Sequence, residues 1–144
     1  MQGIMNNTEG LLFFDTSGFS MWPFMRQGEK LVIKKARIDD LRVGDIILYR
    51  ANNQIVCHRL VKKIMTEDGY SLYARGDNSN SSPELVPEAM FSGKAIGIIK
   101  SGKVISLTNC GRRLNSRLIV MIAPLIAAAN RMIQPYYAKF RKRK

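Results

Sequence analysis

A mainly β domain followed by an apolar, basic helix is the fold class this sequence predicts, and three observations predict it. Short β-branched runs separated by turn residues fill the chain from about residue 18 to 108. The pattern then breaks at Leu118 to Ala129 (LIVMIAPLIAAA), which is apolar without two-residue alternation and rich in Ala, Leu, Ile and Met. Finally, 144 residues with 46% apolar content suffice for one real core and are too few for two ordinary ones.

Leu31 to Lys34 (LVIK) and Asp45 to Tyr49 (DIILY) read as short strands, too short for helices. Gln54 to Lys63 (QIVCHRLVKK) is a longer strand, and Tyr70 to Ala74 (YSLYA) can pair with it across a turn at Glu67-Asp68-Gly69. Ala95 to Lys100 and Lys103 to Leu107, joined by Ser101-Gly102, predict a hairpin. The expected organisation is an N-terminal segment, 1–17, a catalytic-sized β domain, 18–108, and a C-terminal apolar helix with a basic tail, 109–144. The opening MQGIMNNTEGLLFFDTSG has no basic n-region and only the apolar run Leu11 to Phe14, so neither a signal peptide nor an anchor is expected there.

The net charge of +12 is unevenly placed. Residues 1–108 carry fourteen Lys/Arg and all eleven Asp/Glu, whereas the nine basic residues from Arg112 to Lys144 face no acid. A basic tail joined to an apolar run suits an anionic membrane surface better than a phosphate track, so a membrane partner is expected ahead of nucleic acid. Twelve apolar residues rise only about 18 Å as a helix, against roughly 30 Å of hydrocarbon, which predicts a shallow or interfacial anchor and not a span. Cys57 and Cys110 are far apart with no CxxC pair, and with a single histidine they make no zinc site; no metal or other cofactor is expected.

The most informative stretch is Gly18-Phe19-Ser20-Met21-Trp22-Pro23. A serine between a glycine and a Met-x-Pro turn is well placed to be exposed, but its hydroxyl needs a base to become a nucleophile. The chain's one histidine, His58 in Val56-Cys57-His58-Arg59-Leu60, is the candidate. By strand alternation His58 shares a face with Val56 and Leu60, and Cys57 and Arg59 point the other way, which makes Cys57 a poor partner for that base. A lone histidine is more often a structural residue, and only its company changes that reading. An acid in the turn Arg75-Gly76-Asp77-Asn78-Ser79 would complete the set by accepting the other ring N–H of His58.

In this order, GFSMWP, then Leu41-Arg42-Val43-Gly44-Asp45-Ile46-Ile47, then CHRL, then RGDNS, then Phe91-Ser92-Gly93-Lys94, the chain resembles the signal peptidase I family, related to the self-cleaving repressor peptidases, over about residues 17 to 107. The resemblance implies a signal-peptidase-like β domain, endopeptidase activity without a metal, and Ser20 as nucleophile. Its base position separates two branches: His58 before Arg59 looks like the endoplasmic-reticulum and archaeal type, where the common bacterial enzymes have lysine. It thus implies a catalytic set of Ser20, His58 and Asp77; Lys62 and Lys63, further along the strand, read as solvated surface charges.

The sequence departs from the family pattern in three places. The further aspartate expected after GDN is absent, so Asp77 acts alone or Glu84 substitutes. Gly18 stands where some members carry a serine oxyanion donor, leaving backbone N–H groups, that of Ser20 included. The apolar segment lies at the C-terminal end, which favours a dedicated protease trimming a leader or precursor peptide near a membrane at least as much as a housekeeping role. Two other readings compete: a self-cleaving repressor domain, which needs a DNA-binding module and a cleavable linker ahead of Ser20, and a non-catalytic or degenerate domain that binds membrane or nucleic acid through its tail.

Overall fold

Two adjacent asparagines set the register at the centre of the molecule. Asn52 and Asn53 both take positive φ, 47° and 58°, as a two-residue hairpin turn of the primed type requires, and asparagine adopts that region at low cost. They join β3 (Ile46–Ala51) to β4 (Gln54–Thr66), which pair antiparallel with Ile47 opposite His58 and Tyr49 opposite Val56. The structure is a computed structural model that describes residues 10–108, 120–122 and 125.

Among the described residues, eight strands form one antiparallel sheet. Besides β3 and β4 they are β1 (Leu11–Asp15), β2 (Lys30–Lys34), β5 (Gly69–Arg75), β6 (Glu84–Val86), β7 (Phe91–Lys100) and β8 (Lys103–Ser106). The order across the sheet is β1-β2-β7-β3-β4-β5-β6, with β8 paired to β7. The β4–β5 pair turns at the expected Glu67-Asp68-Gly69 region, and the β7–β8 hairpin turns at Ser101-Gly102. Strand β1 falls in the stretch read from the sequence as an N-terminal segment. Its four apolar residues are half-buried and pair along β2, so the sheet begins at Leu11.

Period-two alternation gives the sheet two apolar faces. One gathers Leu31, Ile33, Ile46, Leu48, Cys57 and Ile98 with Met21 and Met25. The other gathers Ile47, Tyr49, Leu60, Leu72, Ala74 and Val86 with Leu41. Strand β4 serves both halves of the sheet: residues 54–59 pair with β3 and residues 59–66 with β5, with a register shift between Leu60 and Lys62. On the β5 side, residues 54–58 therefore have no strand neighbour among the described residues.

Of the expected C-terminal helix, residues 120–122 and 125 are helical, and the rest of Leu118 to Ala129, the basic tail and Cys110 lie outside the described residues. No helix among the described residues is long and apolar enough to cross a membrane.

Candidate active site

Ser20 sits in a loop that leaves β1 and returns to β2, closed at its neck by Thr16. The Thr16 hydroxyl lies 2.7 Å from the Glu29 carbonyl and 2.9 Å from that of Arg26, and the Thr16 N–H donates to the Glu29 carbonyl at 2.9 Å. Inside the loop, Met21 and Met25 are buried in the first apolar face, so the turn between them is held by its own core side chains. Ser20 itself is exposed. That is the placement the Gly-x-Ser-Met-x-Pro pattern predicts.

The RGDN turn clamps this loop. The Asn78 N–H donates to the Ser20 carbonyl at 2.8 Å, and the Asn78 side-chain amide donates to the Phe19 carbonyl at 3.2 Å. Gly76 lies against Ser20 so closely that a Cβ there would stand 2.6 Å from the Ser20 carbonyl oxygen. No side chain fits at that distance, so the glycine is a requirement of the approach.

His58 lies on the face expected of it, and Cys57 lies on the opposite one, in the first core. Burial pushes the Cys57 thiol well above its ordinary pKa, so it stays neutral and inert. Ser20 and His58 line one cleft of about 260 Å³, whose walls are the 14–26 segment on one side and residues Gln54 to His58 on the other. Among the described residues no hydrogen bond joins the Ser20 hydroxyl to His58; such bonds are often long before substrate binds.

Burial lowers the pKa of His58 below its ordinary 6.5, opposed by the charges of Glu84 and Asp77. The ring is therefore held toward its neutral form, the form a general base needs. Its Nδ1 lies 3.0 Å from the Tyr49 hydroxyl, which donates to Glu84 Oε2 at 2.9 Å.

Asp77 is placed differently from the sequence expectation. Both its oxygens accept from Arg59, at 2.8 Å from Nε and 2.7 Å from Nη2, and Arg59 also donates to the Gly44 carbonyl at 2.9 Å. Both partners are almost completely buried, 1% and 3% exposed, and the Arg59 guanidinium lies 4.8 Å from the centre of the Phe24 ring. A buried arginine demands a bidentate carboxylate, and this demand takes Asp77 away from the imidazole. The hydroxyl at Nδ1 belongs to Tyr49, with Glu84 behind it. Lys63 also differs from the expectation of a solvated charge: its ammonium donates to the Ile38 and Asp39 carbonyls at 2.7 and 3.0 Å and lies 4.2 Å from the centre of the Tyr70 ring.

Tyr49 and Arg59 were not singled out from the sequence. A signal existed for the first: the Asn52-Asn53 turn fixes the β3–β4 register, which puts Tyr49 diagonal to His58 on the same face. Among the described residues no three His, Cys, Asp or Glu side chains gather as metal ligands.

What the fold and cleft define is a mainly β domain with an exposed serine and a partly buried histidine in the walls of one groove. The chain belongs to the Peptidase S24-like family, whose model matches residues 1–105, a span that contains Ser20, His58, Asp77 and Glu84. The family lies within the broader superfamily that also includes self-cleaving repressors and signal peptidases. No curated protein matches the chain significantly.

Proposed function

We propose that the protein is a serine endopeptidase of the signal peptidase type, in which His58 deprotonates Ser20 for attack on a peptide carbonyl. The observation that carries this reading is the shared cleft of Ser20 and a neutral His58 within a Peptidase S24-like chain. Attack forms an acyl-enzyme and releases the amine product, which takes the proton held by His58; water, deprotonated by the same ring, then releases the acid. Among the described residues the Ser20 N–H has no hydrogen-bond acceptor, which suits it to stabilise the oxyanion. The edge of β4 at Gln54 to His58, unpaired on the cleft side, offers backbone groups to an extended substrate, the arrangement by which a peptide adds to a sheet.

The substrate class that fits is a leader or precursor peptide, cleaved near a membrane to which the C-terminal segment binds. That localisation rests on the nine acid-free basic residues and the apolar run before most of them. Truncation before Leu114 should leave soluble-peptide cleavage intact and abolish co-sedimentation with anionic vesicles; unfolding of the truncated chain would overturn it.

A serine-directed fluorophosphonate should label wild-type protein at Ser20, and neither Ser20→Ala nor His58→Ala should be labelled at a comparable rate. Absence of labelling in folded wild-type protein would assign the chain to the non-catalytic alternative. Incubating the purified chain alone distinguishes the repressor-type activity, which would appear as cleavage of the chain itself.

A further inference from the structure

The Tyr49 hydroxyl is the best-defined polar contact of the base, and its proton has only one direction available. The phenol has one proton to donate and lone pairs to accept with. Among the described residues, two groups lie within hydrogen-bond distance of it, Glu84 Oε2 at 2.9 Å and His58 Nδ1 at 3.0 Å. A carboxylate can only accept, so the phenolic proton points to Glu84. The oxygen then faces Nδ1 with a lone pair, and Nδ1 must carry the hydrogen.

Resting on the Ser20–His58 reading, we infer that Tyr49 and Glu84 are positioning residues that hold His58 as its Nδ1–H tautomer and leave the Nε2 lone pair to receive the serine proton. Neither residue touches the reacting atoms. The geometry is anchored at Tyr49. Tyr49 is 1% exposed within the second core, and its ring meets the imidazole edge-on with centroids 6.1 Å apart. Glu84 is fixed in β6, opposite Ala74 of β5. Burial, and then the bond to Glu84, drive the Tyr49 pKa far above its ordinary value, so the phenol keeps its proton. The other acid near the ring, Asp77, has both oxygens on Arg59 and leaves Nδ1 to Tyr49. The relay Glu84–Tyr49–His58 thus performs the work that a directly bonded aspartate does in a serine-histidine-aspartate set.

Because His58 is the chain's one histidine, its ring nitrogens can be read without ambiguity by ¹⁵N NMR of the full-length protein. Above the titration of the ring, wild-type protein and Ser20→Ala should both show a protonated Nδ1 and an unprotonated Nε2. Tyr49→Phe keeps the ring's volume and removes the acceptor, so the ring should move to the Nε2–H tautomer that free imidazole prefers. Its kcat should fall by up to about 10⁴-fold, the cost of a wrongly protonated catalytic histidine, with little change in KM. Glu84→Gln is the second variant, at an exposed position: its amide can donate to the phenol and turn the hydroxyl proton toward Nδ1, which should also populate Nε2–H. Should Tyr49→Phe fail to fold, the glutamine variant carries the test. An Nε2–H ring in the wild type, or an unchanged Nδ1–H ring in the folded variants, overturns the relay. Failure of Ser20 to react with the fluorophosphonate overturns the peptidase reading instead, and leaves the tautomer measurement standing as a separate result.

Discussion

His58 and Arg59 are neighbours on β4, yet the sheet sends them to opposite faces and gives them opposite fates. Arg59 points into the first face, where Asp77, the Gly44 carbonyl and the Phe24 ring enclose it. His58 points to the second face, where one ring nitrogen is tied to Tyr49, and the residue is part of the cleft wall. Both regions contain a basic side chain with an acid nearby, in direct contact with Arg59 and one hydroxyl removed from His58. The closed one has both oxygens of its acid held by Arg59 and is architecture; the open one has, among the described residues, no partner at the second ring nitrogen and is suited to chemistry. The two are also coupled. Asp77 stands between Gly76 and Asn78, the residues that hold Ser20, so the closed pair ties the strand carrying the base to the clamp on the nucleophile.

The largest expected effects lie at the open region. Ser20→Ala and His58→Ala should each lose about 10⁴-fold or more in kcat/KM, and the double variant little beyond either, because groups acting as a unit are not additive. His58→Lys should give no rescue, since a lysine base must be held neutral at a site shaped for it. Peptide cleavage measures all four; near wild-type activity in Ser20→Ala would remove Ser20 from the mechanism, and in His58→Ala or the double variant it would remove His58.

Next in size is the closed region. Asp77→Ala leaves the Arg59 guanidinium buried and unpaired, which should cost about 3–5 kcal/mol of stability, read as a lowered denaturation midpoint. Converting both partners to apolar residues of similar volume should cost much less, because the unpaired charge is gone. If Asp77→Ala instead kept its midpoint and lost only kcat, Asp77 would belong with the base, as the family resemblance implies, and the contrast between the two neighbours would fail.

Gly76→Ala tests the tie between the regions at a smaller scale. A methyl 2.6 Å from the Ser20 carbonyl must displace one backbone or the other, at a cost of about 1–3 kcal/mol. Because the displaced segment carries the nucleophile, kcat should fall by more than the stability change accounts for. An unchanged kcat in a folded variant would show that the clamp does not set the position of Ser20.

Much of this was legible in the sequence because it depends on local chemistry. Strand alternation placed His58 with Leu60 and away from Cys57, and the β4–β5 and β7–β8 turns followed from Asp-Gly and Ser-Gly. The ordered motifs singled out Ser20 and the RGDN turn. What was not legible is pairing between distant side chains. Asp77 is an acid in a turn in either reading, and only the burial of Arg59, 18 residues away, decides which cation it meets. Tyr49 looked like a strand tyrosine because its role needs β3–β4 register, the β5–β6 pairing that delivers Glu84, and burial together. β1 was missed because four apolar residues are too few to announce a strand without the β2 edge they cover.

The smallest expected effect is a displacement on the pH axis, and it separates the two acids near the imidazole. A general base works when neutral, so activity should rise with pH through the ionisation of His58. Burial lowers that ionisation below 6.5, so the rising limb should lie on the acid side of the ordinary histidine value. Glu84 opposes this lowering with its negative charge. Glu84→Gln removes the opposition, and the limb should move to still lower pH even as the maximal rate declines. Stability follows the same sign. Between the folded pKa and 6.5 the unfolded chain binds more protons than the folded one, so stability increases with pH through that window and is lost as pH falls. Circular dichroism at each pH separates loss of fold from loss of the base. A limb centred above about pH 8.5 would indicate a lysine base, and an unmoved limb in Glu84→Gln would place the charge of Glu84 too far from the ring to matter.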